Sequence, residues 1–597
     1  MWVGRNNFDE VYPDIVESID KCTFLAIDLE FTGLFLSKDD QSLFDSLEKR
    51  YEKMKYCVQR FIPCQFGLSI YTKDGDQNRY NTKSYSFFSF PETQGNDIKN
   101  ITVDIEAMEF LAAHDFDFNK LLYDGLPYLN AEQEAACRKK LYNGDRIELP
   151  ISFAEEINET SLKIEDWVKK TKQNIKRDAS FIHLRKDLEK ISHFKPTSPQ
   201  PSKSKNATSS NKTNGTCIKT PDSCPWGTDS IDLESAARPK MEVDFQSISI
   251  NQFTHYLILR ELRERFPSVW IVRDQSKFKI YWVTSEEREK LVSATFENEI
   301  ESLINSCLGL TKVIRAMIAA HKPIVGNNMM FDLVMFFQHF IEPLPVTLKD
   351  FRGKILEYFP AVYDVKSIVF NMKKDCLDVE DFLESRDLFS LYRNLKDPEF
   401  MVKTKFQPSI FKEKSEEKKE DEIERPHDAG FDAYMTGYTF VRIATLIATK
   451  VNWNDGPVDW PDIQAALVPF RYKVNLIRAA FHFMDLAAEN QDRVRPFWLV
   501  LSPRNNFEKL TEDEVEDLLA KFERPEYRKI NDRQYLVAVS SFRTVRDILQ
   551  RFREDKNYKI AKYNKFQHSP TVRKALWAGF IFCSTLSTFL VSAIWRY

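Results

Sequence analysis

From Cys22 to Leu34 the chain reads Cys-Thr-Phe-Leu-Ala-Ile-Asp-Leu-Glu-Phe-Thr-Gly-Leu, an apolar, partly β-type run carrying two acids, Asp28 and Glu30, two residues apart. Side chains alternate along a strand, so residues 28 and 30 emerge on the same face. Carboxylates held that close repel each other and resist ionisation unless a cation neutralises them. The pair therefore reads as a ligand for a hard, oxygen-preferring divalent metal. Taken alone, the segment also fits a solvated strand edge.

Two further acids stand in settings of the same kind. Residues 322–337 read as a short apolar strand, a Gly326-Asn327-Asn328 turn and an apolar helix with Asp332 in its first turns. An acid in that position also complements a helix dipole without further role. Residues 425–437 open an amphipathic helix, running to about Lys450, that carries Asp432. At about 3.6 residues per turn, positions 427 and 432 lie roughly 140° apart. One regular helix would not aim both at one point, which places His427 on a mobile loop ahead of it.

In this order the three segments resemble the motifs of the DEDD exonucleases, in the subclass with a histidine base. The resemblance extends to the poly(A)-specific ribonuclease family, PARN. It is carried by Arg5-Asn6-Asn7-Phe8, by Phe24 to Phe31, by His114-Asp115-Phe116-Asp117-Phe118-Asn119-Lys120, by Gly125 to Asn130 and by Asp364-Val365-Lys366, over most of residues 1–450. It implies a ribonuclease H-like α/β fold that removes nucleotides one at a time from an RNA 3′ end. Asp28, Glu30, Asp332 and Asp432 carry over as metal ligands and His427 as general base. Lys366 near the substrate phosphate, Asn328 at the terminal nucleotide and Phe31 are the implied substrate contacts; Lys366 and Asn328 also fit ordinary surface and turn positions. The chemistry suits these residue types. Two Mg²⁺ or Mn²⁺ ions about 3.5–4 Å apart would brace the attacking and leaving oxygens of a phosphodiester. A histidine, with an ordinary pKa near about 6.5, can take the proton of the attacking water.

With 597 residues and 43% apolar content the chain should hold two to four globular domains. A net charge of −4 gives no global basic signature, so RNA binding has to rest on local charge. The basic stretches at 49–56 and 169–177 have acids among or beside them and read first as solvated helix faces. Aromatic residues, 13% of the chain, offer base-stacking platforms, although most of the 47 Phe are expected in the core. The nine cysteines form no CxxC and no zinc spacing with histidine, the usage of a reduced, cytosol-facing protein. Residues 1–7 lack a charged start followed by an apolar stretch, so no signal peptide is read. The Asn-x-Thr triplets at 206, 211 and 214 are read as accidents of a polar linker.

The expected organisation is a nuclease core in two parts, residues 1–150 and 291–480, around a small α+β insertion at 151–290. A Ser-, Pro-, Lys-, Asn- and Thr-rich linker at 196–240, expected to be disordered, interrupts the insertion. PARN carries a nucleic-acid-binding insertion here, which this chain matches in placement more than in residues. A second linker, about 412–424, leads into His427. Residues 495–565 read strand, helix, strand, strand, helix, strand, the order of an RNA-recognition fold (RRM). The stacking signature of its central strands is missing, and Lys529 falls where PARN has a cap-binding tryptophan, so a degenerate RRM-like domain without cap recognition is expected.

Residues 575–595 carry no formal charge and lie between Arg573-Lys574 and Arg596, with Trp577 and Trp595 near the ends. About twenty helical residues cover a bilayer core of about 30 Å, and the tryptophans sit where interfacial anchors belong. The expectation is a single-pass tail anchor with the catalytic domains in the cytosol. Together with the nuclease motifs this resembles the PARN-like domain-containing subgroup, exonucleases that trim piRNA precursors. That resemblance implies the mitochondrial outer membrane, while a moderately apolar span with basic flanks also fits the endoplasmic reticulum, the second choice. It also implies a PIWI protein holding the single-stranded RNA, a Tudor-family adaptor and dimerisation through the nuclease core. A membrane-tethered poly(A) deadenylase and an inactive RNA-granule scaffold are the alternatives.

Overall fold

Phe24, Leu25 and Ala26 are wholly enclosed, which is what an unbroken apolar run demands of the strand that carries it. In chain order the strands are β1 (Trp2–Val3), β2 (Phe24–Phe31), β3 (Pro63–Lys73), β4 (Arg79–Phe88), β5 (Lys240–Asp244), β6 (Val269–Asp274), β7 (Lys277–Trp282), β8 (Ile324–Gly326), β9 (Val362–Asp364), β10 (Ser409–Lys412), β11 (Lys473–Asn475), β12 (Phe483–Asp485), β13 (Leu499–Pro503), β14 (Glu526–Asn531), β15 (Gln534–Ala538) and β16 (Tyr558–Lys562). This computed structural model describes residues 1–37, 41–75, 77–92, 100–143, 147, 153–177, 184, 233, 238–244, 252–274, 277–372, 377–385, 387–413, 424–452, 456–488, 495–505 and 507–595. Nearly all of the 196–240 linker and most of the 412–424 linker lie outside the described residues.

The chain forms two compact units, one of residues 1–90, 101–126 and 313–597, the other of residues 91–100 and 127–312. In the first, a seven-stranded sheet runs β1-β4-β3-β2-β8-β9, with β10 on β4. β2 pairs antiparallel with β3 and parallel with β8, which pairs parallel with β9. This places the acid-bearing strand in mid-sheet.

The helix Ala429–Asn452 packs across β2, β3 and β4. It is buried almost all round from Ala433 to Ala448, with Tyr434, Tyr438 and Phe440 in one core with Phe24, Tyr71 and Tyr363. The amphipathic stripe read from the sequence is thus a fully enclosed helix, because layers cover its second side as well. Its approach to the sheet needs glycine: a Cβ at Gly67 would lie 1.8 Å from the Ala429 carbonyl oxygen, and one at Gly430 2.1 Å from Ser86 Oγ.

The last four strands form a separate antiparallel sheet in the order β14-β15-β13-β16. Helices Glu512–Leu519 and Phe542–Arg551 fill one face through Val515, Ile548, Leu499 and Val537. Trp498, Leu536 and Ala538, on the other face, pack with Leu43 and Phe44 of the nuclease portion. The Glu526 carboxylate accepts hydrogen bonds from Ser42 Oγ and the Leu43 amide, both at 2.6 Å, and Arg528 lies 4.5 Å from the Phe44 ring centroid. The helix Pro570–Ile594 follows, and its stretch to Ser592 is long and apolar enough to cross a membrane, with none of it buried within the molecule.

The second unit holds the helix, strand, strand order read at 250–283, as Gln252–Arg265, β6 and β7. Its three-stranded sheet β5-β7-β6 packs Ile271, Phe278 and Ile280 against Ile157, Ile164 and Leu262 of two helices. Lys169 and Lys170 pair with Glu165 and Asp166 one turn earlier, as on a solvated helix face.

Candidate metal centre

β2 sets Asp28 opposite Gly67 and Glu30 opposite Gln65 of β3, and the register then slips at Phe31. β8 ends at Gly326, and Asn328 takes a φ of 60° to start the helix Met330–Phe336, whose first turn brings Asp332 beneath β2. The Asp332 carboxylate accepts the Leu29 amide at 3.1 Å, locking strand and helix together between the two acids of β2. Asp432 enters from the first turn of Ala429–Asn452.

These four carboxylates and His427 line one cavity of about 250 Å³. Ligand atoms of Glu30, His427 and Asp432 all lie within 4.8 Å of one another. Burial pushes the carboxyl of Asp28 well above the usual range, and Asp432, Asp332 and Glu30 add repulsion in that order. Glu30 is raised for the same reasons, burial first and then Asp432 and Asp332. Burial drives Asp332 and Asp432 up to about 7, against backbone amides that favour the ionised form. Acids forced together without a cation among them are held in their least favourable state. An all-carboxylate donor set suits a hard divalent ion such as Mg²⁺ or Mn²⁺, so the residues fit the group the sequence implied.

His427 occupies a left-handed turn with φ 69°, two residues before the helix, and its backbone N–H donates to Asp432 Oδ1 at 3.2 Å. Its ring meets His114 at 4.1 Å and Phe110 at 4.8 Å between centroids. Burial lowers its pKa and His114 lowers it further, while Asp387 opposes them. The loop is anchored at its helix end. Asp428 accepts from Ser86 Oγ at 2.8 Å and from Gln65 Nε2 at 3.2 Å, while Gln65 Oε1 takes the Ala429 amide at 2.9 Å. These bonds tie residues 428 and 429 to β3 and β4.

Beside the acids stands an aromatic wall, with Phe31 and Phe35 edge-on to Phe331 at 5.4 and 5.5 Å. Asn328 lines the same cavity, and its Oδ1 accepts from Asn475 Nδ2 at 2.7 Å. Lys366 does not line it; its surroundings are an adjoining cavity of about 140 Å³ that shares Asn327 and Asn475.

Sequence reasoning gave no role to several residues that build this place. The enclosed carboxylate of Asp364 accepts the amides of Asn328, Met329, Asn475 and Ser367, tying the β8 turn to β9 and to the β11–β12 hairpin. Arg50, buried, donates to the carbonyls of Ile477 and Arg478 and holds that hairpin from the other side. His114 lay inside a quoted motif, the one signal that pointed toward it. Asp364 likewise stood in a quoted motif, Asn475 carried no signal, and Arg50 lay in the basic stretch 49–56 read first as a solvated helix face, which its burial contradicts.

Residues 3–440 match the profile of the CAF1 family of ribonucleases. The chain is 26% identical to the pre-piRNA 3′-exonuclease trimmer of Bombyx mori over 604 aligned positions, covering 99% of this chain and 98% of that protein. It is 25% identical to the mouse poly(A)-specific ribonuclease PNLDC1, over 99% and 98%. Against the poly(A)-specific ribonuclease PARN of Xenopus laevis the identity is 26%, over 80% and 67%. A solved structure of S. pombe Pop2p in its Mg²⁺- and Mn²⁺-bound form matches at 12% identity and a TM-score of 0.30, over 74% of this chain and 91% of that one.

Proposed function

The chain belongs to the CAF1 family of ribonucleases, and from that premise we propose that this 3′–5′ exoribonuclease is metal-dependent and trims single-stranded RNA held by a PIWI protein at a membrane surface. The observation that carries the reading is the gathering of Asp28, Glu30, Asp332, Asp432 and His427 around one cavity. The near full-length similarity to a pre-piRNA exonuclease supports the substrate class.

In this reading the four carboxylates hold two divalent cations, Mg²⁺ or Mn²⁺, which when bound neutralise charge on the phosphoryl group and its leaving oxygen. The chain's own groups supply the rest. His427, kept neutral by burial and by His114, takes the proton of the attacking water on a ring nitrogen. The wall of Phe31, Phe331 and Phe35 offers a face for the terminal base. Asn328, oriented by Asn475, meets the terminal nucleotide, and Lys366 lies where the next phosphate would pass along the neighbouring cavity.

The C-terminal βαββαβ module is read as a degenerate recognition domain. A recognition sheet stacks bases on the face opposite its helices, and here Leu43 and Phe44 pack onto that face. Base reading is thus absent from the proposal, and product length is set by the footprint of the PIWI partner. The helix Pro570–Ile594 tethers the enzyme, with the mitochondrial outer membrane the first choice and the endoplasmic reticulum the second. A Tudor-family adaptor delivers the precursor, and dimerisation runs through the nuclease core.

The test is incubation of the purified chain with 5′-labelled RNA bearing a 3′-hydroxyl or a blocked 3′ end, with and without Mg²⁺. Stepwise shortening of the open end alone, dependent on Mg²⁺ and abolished by Asp28→Ala, is expected. Activity without a divalent cation, or in the variant, would refute the assignment. Equal rates on poly(A) and mixed-sequence tails are expected, whereas strong preference for poly(A) would favour a tethered deadenylase. Trimming with a PIWI partner of altered footprint should shift product length accordingly.

A further inference from the structure

Between Lys556 and Lys574 the chain carries Lys556, Lys559, Lys562, Lys565, Arg573 and Lys574 and no Asp or Glu, although acids outnumber Lys and Arg in the whole chain by 89 to 85. All six side chains are exposed. Among the described residues none of them forms an ion pair, unlike Lys163, Lys169 and Lys170, each matched to an acid one turn away. Lys562 alone touches a ring, 4.4 Å from the Phe497 centroid. Positive charge at this density repels itself and gains energy opposite an anionic surface.

The placement says which surface. Lys559 and Lys562 lie on β16, an edge strand of the C-terminal sheet. The short helix Lys565–His568 follows and presents Phe566, 68% exposed. A hydrogen bond from the Ser569 amide to the Lys565 carbonyl, and another from Arg573 to Ser569, carry the chain into Pro570–Ile594. Ser569 is extended between the two helices, and only eight positions separate Lys565 from Arg573, so if the second helix spans a bilayer the basic edge stands next to the headgroups. The opposite edge of the same sheet is β14, whose Glu526 and Arg528 grip Ser42 and Phe44 of the nuclease portion. At about 4.8 Å per strand the two edges are only about 14 Å apart.

We propose that the β16 edge and the following helix form a docking surface for anionic lipid headgroups, which makes the C-terminal sheet a bracket between bilayer and nuclease. Lysine heads meet the phosphates, and Phe566 enters the interface. This rests on the tail-anchor reading, but its test does not need the span.

A chain ending at Lys574 keeps every residue described as buried, because residues 575–592 are exposed throughout. It is to be mixed with vesicles of phosphatidylcholine alone and with vesicles containing 30% phosphatidylserine, then separated by flotation. Binding at least tenfold tighter to the anionic vesicles is expected at 0.1 M salt, and its loss at 0.5 M. The variant Lys556→Gln, Lys559→Gln, Lys562→Gln, Lys565→Gln should lose that preference while retaining its melting temperature and its rate on a short RNA oligonucleotide in solution. Equal binding to both vesicles, or an unchanged variant, would overturn the proposal. So would a variant that binds vesicles normally but shows a raised KM for RNA, which would mark a nucleic-acid surface instead. Failure of the tail-anchor reading shows separately, as full-length protein extracted from membranes by alkali.

Discussion

The ring of His114 stands edge-on to that of His427, 4.1 Å between centroids at an angle of 64°, and Phe110 closes the same cluster at 4.8 Å from His427. A candidate base is thus held by packing as well as by its backbone, and a second imidazole disfavours its protonation. Replacing His427 by Ala should lower kcat on the order of 10²–10⁴-fold, the range for a general base. His114→Ala should leave most of the rate intact but move the acidic limb of the pH–rate profile to higher pH. Removing a group that depresses the His427 pKa lets the ring hold its proton longer, with Asp387 still favouring that proton. An unshifted profile would show that His114 contributes packing alone.

Asp432→Asn separates chemistry from folding. The loss of a ligand should slow the reaction at least ~10³-fold, corresponding to several kcal/mol of transition-state stabilisation. The metal-free protein should melt no lower than the parent, because one member of a mutually repelling set has been neutralised. A lower melting temperature would mean that the carboxylate is chiefly structural.

Stability of the metal-free protein should fall as pH rises. Asp332 and Asp432 keep their protons to about 7 when folded, against an ordinary 3.8, so the folded state binds more protons than the unfolded one between about 4 and 7. Stability therefore declines through that window. A divalent cation held among these acids should reverse the trend, and at 100 times its dissociation constant would contribute about 2.7 kcal/mol. Thermal melts with EDTA and with Mg²⁺ should converge near pH 4.5 and separate by about 2–3 °C at pH 7.5. Curves that stay parallel would contradict this.

Asp364→Ala should cost on the order of 3–5 kcal/mol, because it strands several enclosed amides at once. Asp364→Asn, which keeps one acceptor oxygen, should cost less. KM for RNA should rise in both, since the turn at Asn328 and the strand bearing Asn475 lose their common partner. Melting and kinetics on the same preparations decide it.

What was legible in the sequence follows from the range of the interactions. Asp28 and Glu30 announce a shared face because strand periodicity is local, and Asp332 because strand, turn and helix are contiguous. Asn475 meets Asp364 across 111 positions, and Arg50 meets Ile477 across 427, and nothing in either neighbourhood records such a partner. Lys366 was placed by motif alignment, which fixes order along the chain but not which of two adjoining cavities a side chain lines. The amphipathic stripe at 429–450 went astray because the polar members of that helix, Thr436, Thr439, Arg442 and Thr445, are themselves enclosed.

The contact of Gly67 with Ala429 gives the molecule a shared point of failure. Position 67 pairs with Asp28 across the sheet, any side chain there meets rigid main chain at 1.8 Å, and the helix that would have to retreat is the one holding Asp432. A retreat of even half an ångström is mild for a large apolar core and severe for ionic coordination. The retreat needed here is larger, about 1.2 Å to bring the contact to even 3.0 Å from main chain that cannot swing aside, so damage at this seam costs the core and the site together.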